Sequence, residues 1–243
     1  MYPILFNFGP ITIYSYGAMV ALGFFMAVFF AEKQASKFDI PKEFIYDIGF
    51  WVIISGVLGA RVFYVLEHLK EYLASPLEIF MLNHGGLSFF GGLFAGILAA
   101  IVLIRRKKFS VLKIFDFSVP FVAIAQAIGR IGCFLNGCCY GKASLKYGIF
   151  FPNLNYWAIP TQIYSVFYLT ILFLFLRYLQ TKKLALGCVF YTYLTLYSAG
   201  RFIIEFFRAD NPVVFHGLTL FQVISIGVFI MAGIFLFKCK KSI

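Results

Sequence analysis

The sequence predicts an all-α polytopic integral membrane protein with seven transmembrane helices, its N-terminus outside and its C-terminus cytoplasmic. Three observations carry this expectation. Hydrophobic residues make up 62% of the 243 residues and charged residues 13%, a balance that no soluble domain of this size can bury. Seven apolar stretches, 12–31, 44–66, 86–104, 115–135, 161–179, 184–206 and 218–237, each approach the roughly 20 residues that cross a bilayer. The cations between those stretches are distributed one-sidedly, which sets orientation.

The net charge of +11 does not point to nucleic acid, because the lysines lie in short segments between apolar runs. Lys33, Lys37 and Lys42 follow the first span. Arg105, Arg106, Lys107, Lys108 and Lys113 follow the third, and Arg177, Lys182 and Lys183 the fifth. Lys238, Lys240 and Lys241 close the chain. These are fourteen of the 21 Lys and Arg. The other side carries Lys70, Lys142, Lys146 and Arg208. The segment Met1–Pro10 has neither a basic n-region nor a small-residue cleavage site, and is expected to be a retained N-terminus. Nothing marks a second domain or a long linker, so residues 1–243 are expected to form a single transmembrane domain.

The remaining cations, Arg61, Arg130 and Arg201, lie inside apolar stretches. An arginine there costs about 2.5–3.5 kcal/mol on insertion scales and marks function by default. In the expected topology each lies within two turns of the outer end of its span. The outer ends of the other spans carry Tyr16, the Gly85–Gly92 segment and Gln222. Polar chemistry therefore gathers on one face, and three cations at one depth call for an anion such as a lipid phosphate.

Four segments carry that chemistry. Gly129–Gly141 holds four glycines and Arg130. It is expected either to break a helix beside a ligand, with a guanidinium fork that grips phosphate, or to cap a helix whose arginine snorkels to headgroups. His84–Gly96 holds a small-xxx-small pair, Gly92 and Gly96, for close helix packing; His84 itself is expected to be solvated. Arg201 and Glu205 are four residues apart on one helix face, so Glu205 either neutralises Arg201 or serves as a base. Tyr14–Gly17 fits an interfacial aromatic belt. Cys133, Cys138 and Cys139 cluster, and packing, a disulfide from Cys133 to one of the others, substrate contact and redox or metal chemistry are all open. A metal is disfavoured because no fourth ligand is evident. Cys188 and Cys239 are expected to be inert.

The run Gly129–Gly141 resembles the signature of the bacterial prolipoprotein diacylglyceryl transferases, G-R-x-G-N-F-x-N-x-E-x-x-G. Gly129, Arg130, Gly132, Phe134, Asn136 and Gly141 match it. Tyr14–Gly17 is similar to the family's aromatic-Tyr-Gly, and Gly85–Gly92 to its G-G-M-S-F-H-G-G. Gly200–Arg208 is similar to its R-F-x-x-E-F-x-R, and Leu218–Ser225 to its L-T-x-x-Q-x-x-S. Five segments in order make the resemblance specific over most of the chain. Three positions depart from the pattern: Phe90 replaces the histidine of F-H-G-G, Cys133 the first asparagine of the signature, and Cys138 its glutamate.

The resemblance implies an enzyme of the bacterial plasma (inner) membrane. It would move the sn-1,2-diacylglyceryl group of phosphatidylglycerol onto the lipobox cysteine thiol of a prolipoprotein signal peptide, the first step of lipoprotein maturation. No cofactor, metal or nucleic acid is implied. On charge and depth, Arg130 and Arg201 would hold the phosphate and Glu205 would hold Arg201. Tyr16 and Asn136 would bond glycerol or phosphate oxygens, and Ser88, Gly132 and Gly141 would line the substrate site. Arg61 would serve either the headgroup or the structure. Glu205, a tyrosinate or a cluster cysteine is open as the base. Two alternatives stand beside the enzyme: a lipid-binding homologue that transfers nothing, favoured by Phe90, and a small-anion transporter, opposed by the lack of an internal repeat.

Overall fold

A computed structural model describes residues 1–9, 11–81 and 85–240; Pro10, His84 and Lys241 lie outside the described residues. Among the described residues, six helices are long and apolar enough to cross a membrane. They are α1 (Ser15–Ala35), α2 (Lys42–Glu67), α4 (Phe89–Arg106), α5 (Val111–Asn136), α6 (Thr161–Leu179) and α8 (Leu220–Lys240). A short α3 (Leu69–Ala74) and a 3-10 turn (Pro76–Phe80) follow α2. The protein is therefore multi-pass. The seventh expected span is α7 (Cys188–Glu205). At 18 residues it is about 27 Å long, but Arg201, Glu205 and three tyrosines lower its hydropathy below that of the other six.

Three hairpins qualify the all-α expectation: β1 (Ile4–Phe8) with β2 (Ile11–Tyr14), β3 (Ile149–Phe151) with β4 (Tyr156–Ala158), and β5 (Val213–Phe215) with β6 (Leu218–Thr219). The first precedes α1, and the other two lie in the connections α5–α6 and α7–α8. Ile, Val, Phe, Tyr and Thr dominate them, the residue types that suit extended backbone. The first span consequently starts at Ser15, because Ile11–Tyr14 is a strand.

The chain divides into two compact units, residues 32–114 and residues 1–31 with 115–243. In the first, α2 and α4 pack through small residues. A Cβ on Gly59 would lie 2.2 Å from Ala95 Cβ, and one on Gly91 2.6 Å from the Gly59 carbonyl. Backbones approach this closely only where side chains are missing. Gly92 also lies on this seam, at 3.1 Å from the Gly56 carbonyl, whereas Gly96 makes only ordinary contact with Val52 at 3.6 Å.

In the second unit α5, α6 and α7 share a core of Val119, Ala123, Ala127, Leu169, Leu172, Leu176, Val189 and Tyr193. Pro120 lies inside α5 and has no N–H to give the Asp116 carbonyl. Gln180 supplies the missing donor, its Nε2 lying 2.8 Å from Asp116 O and 3.1 Å from Phe117 O. The Asp116 carboxylate in turn accepts from Gly187 N at 2.6 Å and Phe190 N at 2.7 Å. It caps the start of α7 from another helix. The expectation that Cys188 and Cys239 are inert is corrected: they form a disulfide. Helices α7 and α8 run antiparallel, which brings residues 51 apart in sequence to one end.

Candidate functional site

The C-terminal end of α5 reverses in a Schellman motif. Gly137 has φ +74, its N–H donates to Phe134 O at 3.1 Å, and Cys138 N donates to Cys133 O at 3.1 Å. Those two bonds define the motif, which sets the side chains of its third-last helical residue and its second outside residue together. Here both are cysteines. Cys139 also has positive φ, +64, a conformation that a non-glycine residue adopts only under constraint. The constraint comes from α6: Thr161 Oγ1 donates to Cys139 O and Gln162 Nε2 to Cys138 O, both at 2.6 Å. The three Sγ atoms lie within 4.8 Å of one another, and all three thiols are free. The disulfide considered for Cys133 is thus not formed.

Arg130 sits two turns before this reversal. Among the described residues it makes no hydrogen bond or ion pair, yet it acts electrostatically on Tyr16, Cys133, Cys139 and Arg201. Gly132 explains why Tyr16 is there. A Cβ at 132 would lie 2.8 Å from Met19 Cβ and 3.3 Å from Tyr16 Cα, so the glycine lets α1 lie against α5. The Asn136 carbonyl accepts from Asn153 Nδ2 at 3.5 Å, and the Cys138 thiol donates to Cys133 O at 3.6 Å.

The second half of the site is the end of α7. Arg201 Nη2 lies 3.0 Å from Glu205 Oε2, and its guanidinium covers the Phe221 ring at 4.7 Å. The Oε2 contact is ionic and is not an aligned hydrogen bond. Glu205 is 3% exposed. Its Oε1 accepts from Thr219 Oγ1 at 2.9 Å and from Asn211, and Arg208 Nε is 3.8 Å from Oε2. Thr219 and Gln222 form a capping box at the start of α8, with Thr219 N donating to Gln222 Oε1 at 2.9 Å and Gln222 N to Thr219 Oγ1 at 3.3 Å.

Arg208, absent from the expected site residues, has a side chain 7% exposed, with Nε and Nη2 bonded to Asp210 at 2.9 and 2.6 Å. Burial opposes its charge, but the Asp210 bonds outweigh that and hold its pKa above the usual guanidinium value. Positions 201, 205 and 208 are spaced by four and three, as on one face of a continuing helix, but α7 ends at Glu205 and Arg208 lies in the bridge beyond it. Gly141 ties this strand of chain to α5. It pairs with Arg208 in a β-bridge, and a Cβ there would lie 2.7 Å from Phe207 O. Hydrogen bonds from the Cys133 and Cys138 thiols, then the Arg208 and Arg130 charges, hold Cys139 well below the usual thiol pKa.

Arg130, Arg201, Glu205, Tyr16, Asn136, Gly132 and Gly141 therefore all belong to one unit, and Arg208 joins them. Arg61 and Ser88 belong to the other. Arg61 is 5% exposed. Its Nε donates to Ile79 O at 3.0 Å, its Nη1 to Gly85 O and Gly86 O at 2.6 and 3.0 Å, and its Nη2 to Glu78 O and, at 3.3 Å, Met81 O. Its fork is occupied by the carbonyls of one loop. Ser88 donates to Glu67 at 3.2 Å through its hydroxyl and to Ala60 O at 2.9 Å through its N–H.

A model of the prolipoprotein diacylglyceryl transferase family matches residues 3–238. The chain is 37% identical over 247 residues to a phosphatidylglycerol–prolipoprotein diacylglyceryl transferase of Clostridium tetani, covering 99% of this chain and 98% of that one. It is 33% identical to the enzyme of Staphylococcus carnosus, covering 96% and 88%. To transferase 2 of Clostridium perfringens it is also 33% identical, covering 95% and 92%.

Proposed function

The chain belongs to the prolipoprotein diacylglyceryl transferase family, and from that premise we propose the substrates, orientation and residue roles that follow. It transfers the diacylglyceryl group of phosphatidylglycerol to the lipobox cysteine of a prolipoprotein, the first step of lipoprotein maturation. Residues 1–243 act as a single domain of the bacterial inner membrane, with seven spans when α7 is included, N-terminus outside and C-terminus inside. The family match over nearly the whole chain supports one working domain, and the lysine distribution supports the orientation.

In the reaction the substrate sulfur attacks the glyceryl carbon while the carbon–oxygen bond to phosphate breaks. Charge grows on the departing glycerol phosphate, and preorganised donors aimed at that charge lower the barrier most. Arg130 is the group suited to this, and its guanidinium without an ion-pair partner among the described residues is the observation that carries the proposal. Arg201 and Arg208 add positive field beside it. Glu205 acts as their holder and not as the base, because Arg201, Thr219 and Asn211 occupy its oxygens. Tyr16 and Asn136 face the same region and bond glycerol or phosphate oxygens. Gly132 and Gly141 serve by letting backbone close around the site. Arg61 and Ser88 secure the loop between α2 and α4.

The test is transfer of radiolabelled diacylglyceryl from phosphatidylglycerol to a lipobox peptide, with Arg130→Ala as the control. Thioether that disappears in the variant supports the assignment. Normal lipidation by Arg130→Ala sinks it. A second proposal, a homologue that binds the lipid without transferring it, rests on Phe90 at the family's histidine position. Retention of phosphatidylglycerol with no thioether product from the parent chain would favour it. Family membership leaves the small-anion transporter without support.

A further inference from the structure

Two of the three departures from the family signature, Cys133 and Cys138, converge on one point, and a third cysteine joins them. We propose that Cys133, Cys138 and Cys139 form a three-thiolate site for one zinc-class ion, whose fourth position receives the substrate thiol. The second half of this proposal rests on the transferase reading; the metal site does not.

The geometry is that of a built site. Tetrahedral zinc with bonds of about 2.3 Å sets sulfurs about 3.8 Å apart, and the three Sγ atoms already lie within 4.8 Å of one another. The Schellman reversal at Gly137 fixes Cys133 against Cys138. The positive φ of Cys139 turns the third residue into place. Thr161 and Gln162 then pin the carbonyls of Cys139 and Cys138 from α6. Backbone anchored from a second helix holds ligands in position before the ion arrives. Three thiolates exceed the charge of a divalent ion by one. Arg130, within electrostatic reach of Cys139 and without an ion-pair partner among the described residues, balances that excess.

Three protein ligands and an open position distinguish a catalytic zinc site from a closed structural one. Cys133 is buried, while Cys138 and Cys139 are only half-buried, so the cluster has an accessible side. The reaction of the family alkylates a thiol, and a thiol bound to such an ion is deprotonated outright. The incoming thiol displaces hydroxide held at the fourth position, and that hydroxide leaves as water with the thiol proton. The sulfur electron pair then forms the bond to the glyceryl carbon. The pair of the breaking carbon–oxygen bond leaves on the glycerol phosphate beside Arg130, and no oxidation state changes. Such a site supplies the thiolate in a chain with Phe90 and Cys138 where the family carries histidine and glutamate.

The experiment uses the full chain without a polyhistidine tag, reduced, loaded with zinc in detergent and desalted. Elemental analysis is expected to find about one zinc per chain, weakened about tenfold or more by Cys133→Ser or by Cys139→Ser. The cobalt-loaded protein should show a sulfur-to-metal charge-transfer band that grows when lipobox peptide is added and not when its cysteine is serine. Less than stoichiometric zinc in the parent, binding unchanged in both variants, or a disulfide within the cluster overturns the site. A band indifferent to the peptide, or transfer undiminished after chelation, overturns the open position while leaving the transferase intact. Zinc and peptide bound without any transfer supports the site and instead sinks the transferase reading.

Discussion

The two ends of α5 treat polar groups in opposite ways. At the Val111 end the Asp116 carboxylate holds two N–H groups of α7, and its carbonyl, freed by Pro120, is taken by Gln180. Two cysteines nearby in the fold, Cys188 and Cys239, are joined. At the Asn136 end Arg130 keeps its donors, three thiols remain free within 4.8 Å, and Arg201 shares Glu205 with Arg208. Groups that satisfy one another in a low-dielectric interior stabilise the helix contacts. Groups left short of partners there are costly and are kept for a ligand. Arg61 makes the same point in the other unit: an arginine with its fork filled by carbonyls has a structural task.

The largest expected effect tests the open end. Arg130→Ala should lower the initial rate of diacylglyceryl transfer about 100- to 1,000-fold, the usual loss when one donor to developing charge is removed. Membrane insertion and thermal stability should stay at the parent's values, because no described side chain relies on Arg130 for a hydrogen bond. Stability falling as far as the rate would put Arg130 among the structural groups and erase the contrast.

Glu205 sharpens the boundary between holding and catalysis. Glu205→Ala leaves Arg201 and Arg208 buried without their shared counter-charge, a change that costs about 3–5 kcal/mol, read as a lowered melting temperature in detergent. Glu205→Gln keeps an oxygen for Thr219 and Asn211 and should lose less stability while still transferring. A glutamine variant that is fully folded yet inactive would restore Glu205 as the base.

The spans were legible because hydropathy is a local property of composition, and α6 matches its expected limits, residues 161–179. The cysteine cluster was legible for a similar reason: a thirteen-residue segment holds its own reversal. The partners of Arg61 and Arg208 were not. Arg61 finds its partners 17 to 25 residues away in a loop with no periodicity. Arg208 is buried because Asp210 folds back on it and the β5–β6 connection returns Thr219 to Glu205. The Cys188–Cys239 pair depends on α7 and α8 packing antiparallel, a tertiary fact that neither stretch contains.

Asp116→Ala tests the closed end. It should leave the N–H groups of Gly187 and Phe190 without acceptors, a cost of about 1–3 kcal/mol visible as a lower melting temperature. The transfer rate of the protein that remains folded should not change, since Asp116 belongs to the far end of the helix from Arg130. A fall in that rate would mean the start of α7 sets the position of Arg201, and the two ends would no longer be separable.

The smallest effect is expected from the disulfide. A closed loop of this length constrains a soluble unfolded chain by about 4 kcal/mol, but helices already threaded through a bilayer have little of that freedom to lose. Changing both Cys188 and Cys239 to serine should therefore leave transfer at the parent's rate and shift melting only slightly. The proposed orientation makes a sharper demand. It sets the start of α7 and the end of α8 on the cytoplasmic side, where thiols are kept reduced, so the joined pair should be the oxidised state of a reducible couple: rapid acid trapping of cells followed by alkylation should find both cysteines as free thiols, and air oxidation of the purified protein should join them. A disulfide already present in the trapped cells would put that end of the molecule outside and reverse the topology, carrying Arg130 and its cysteines to the cytoplasmic face.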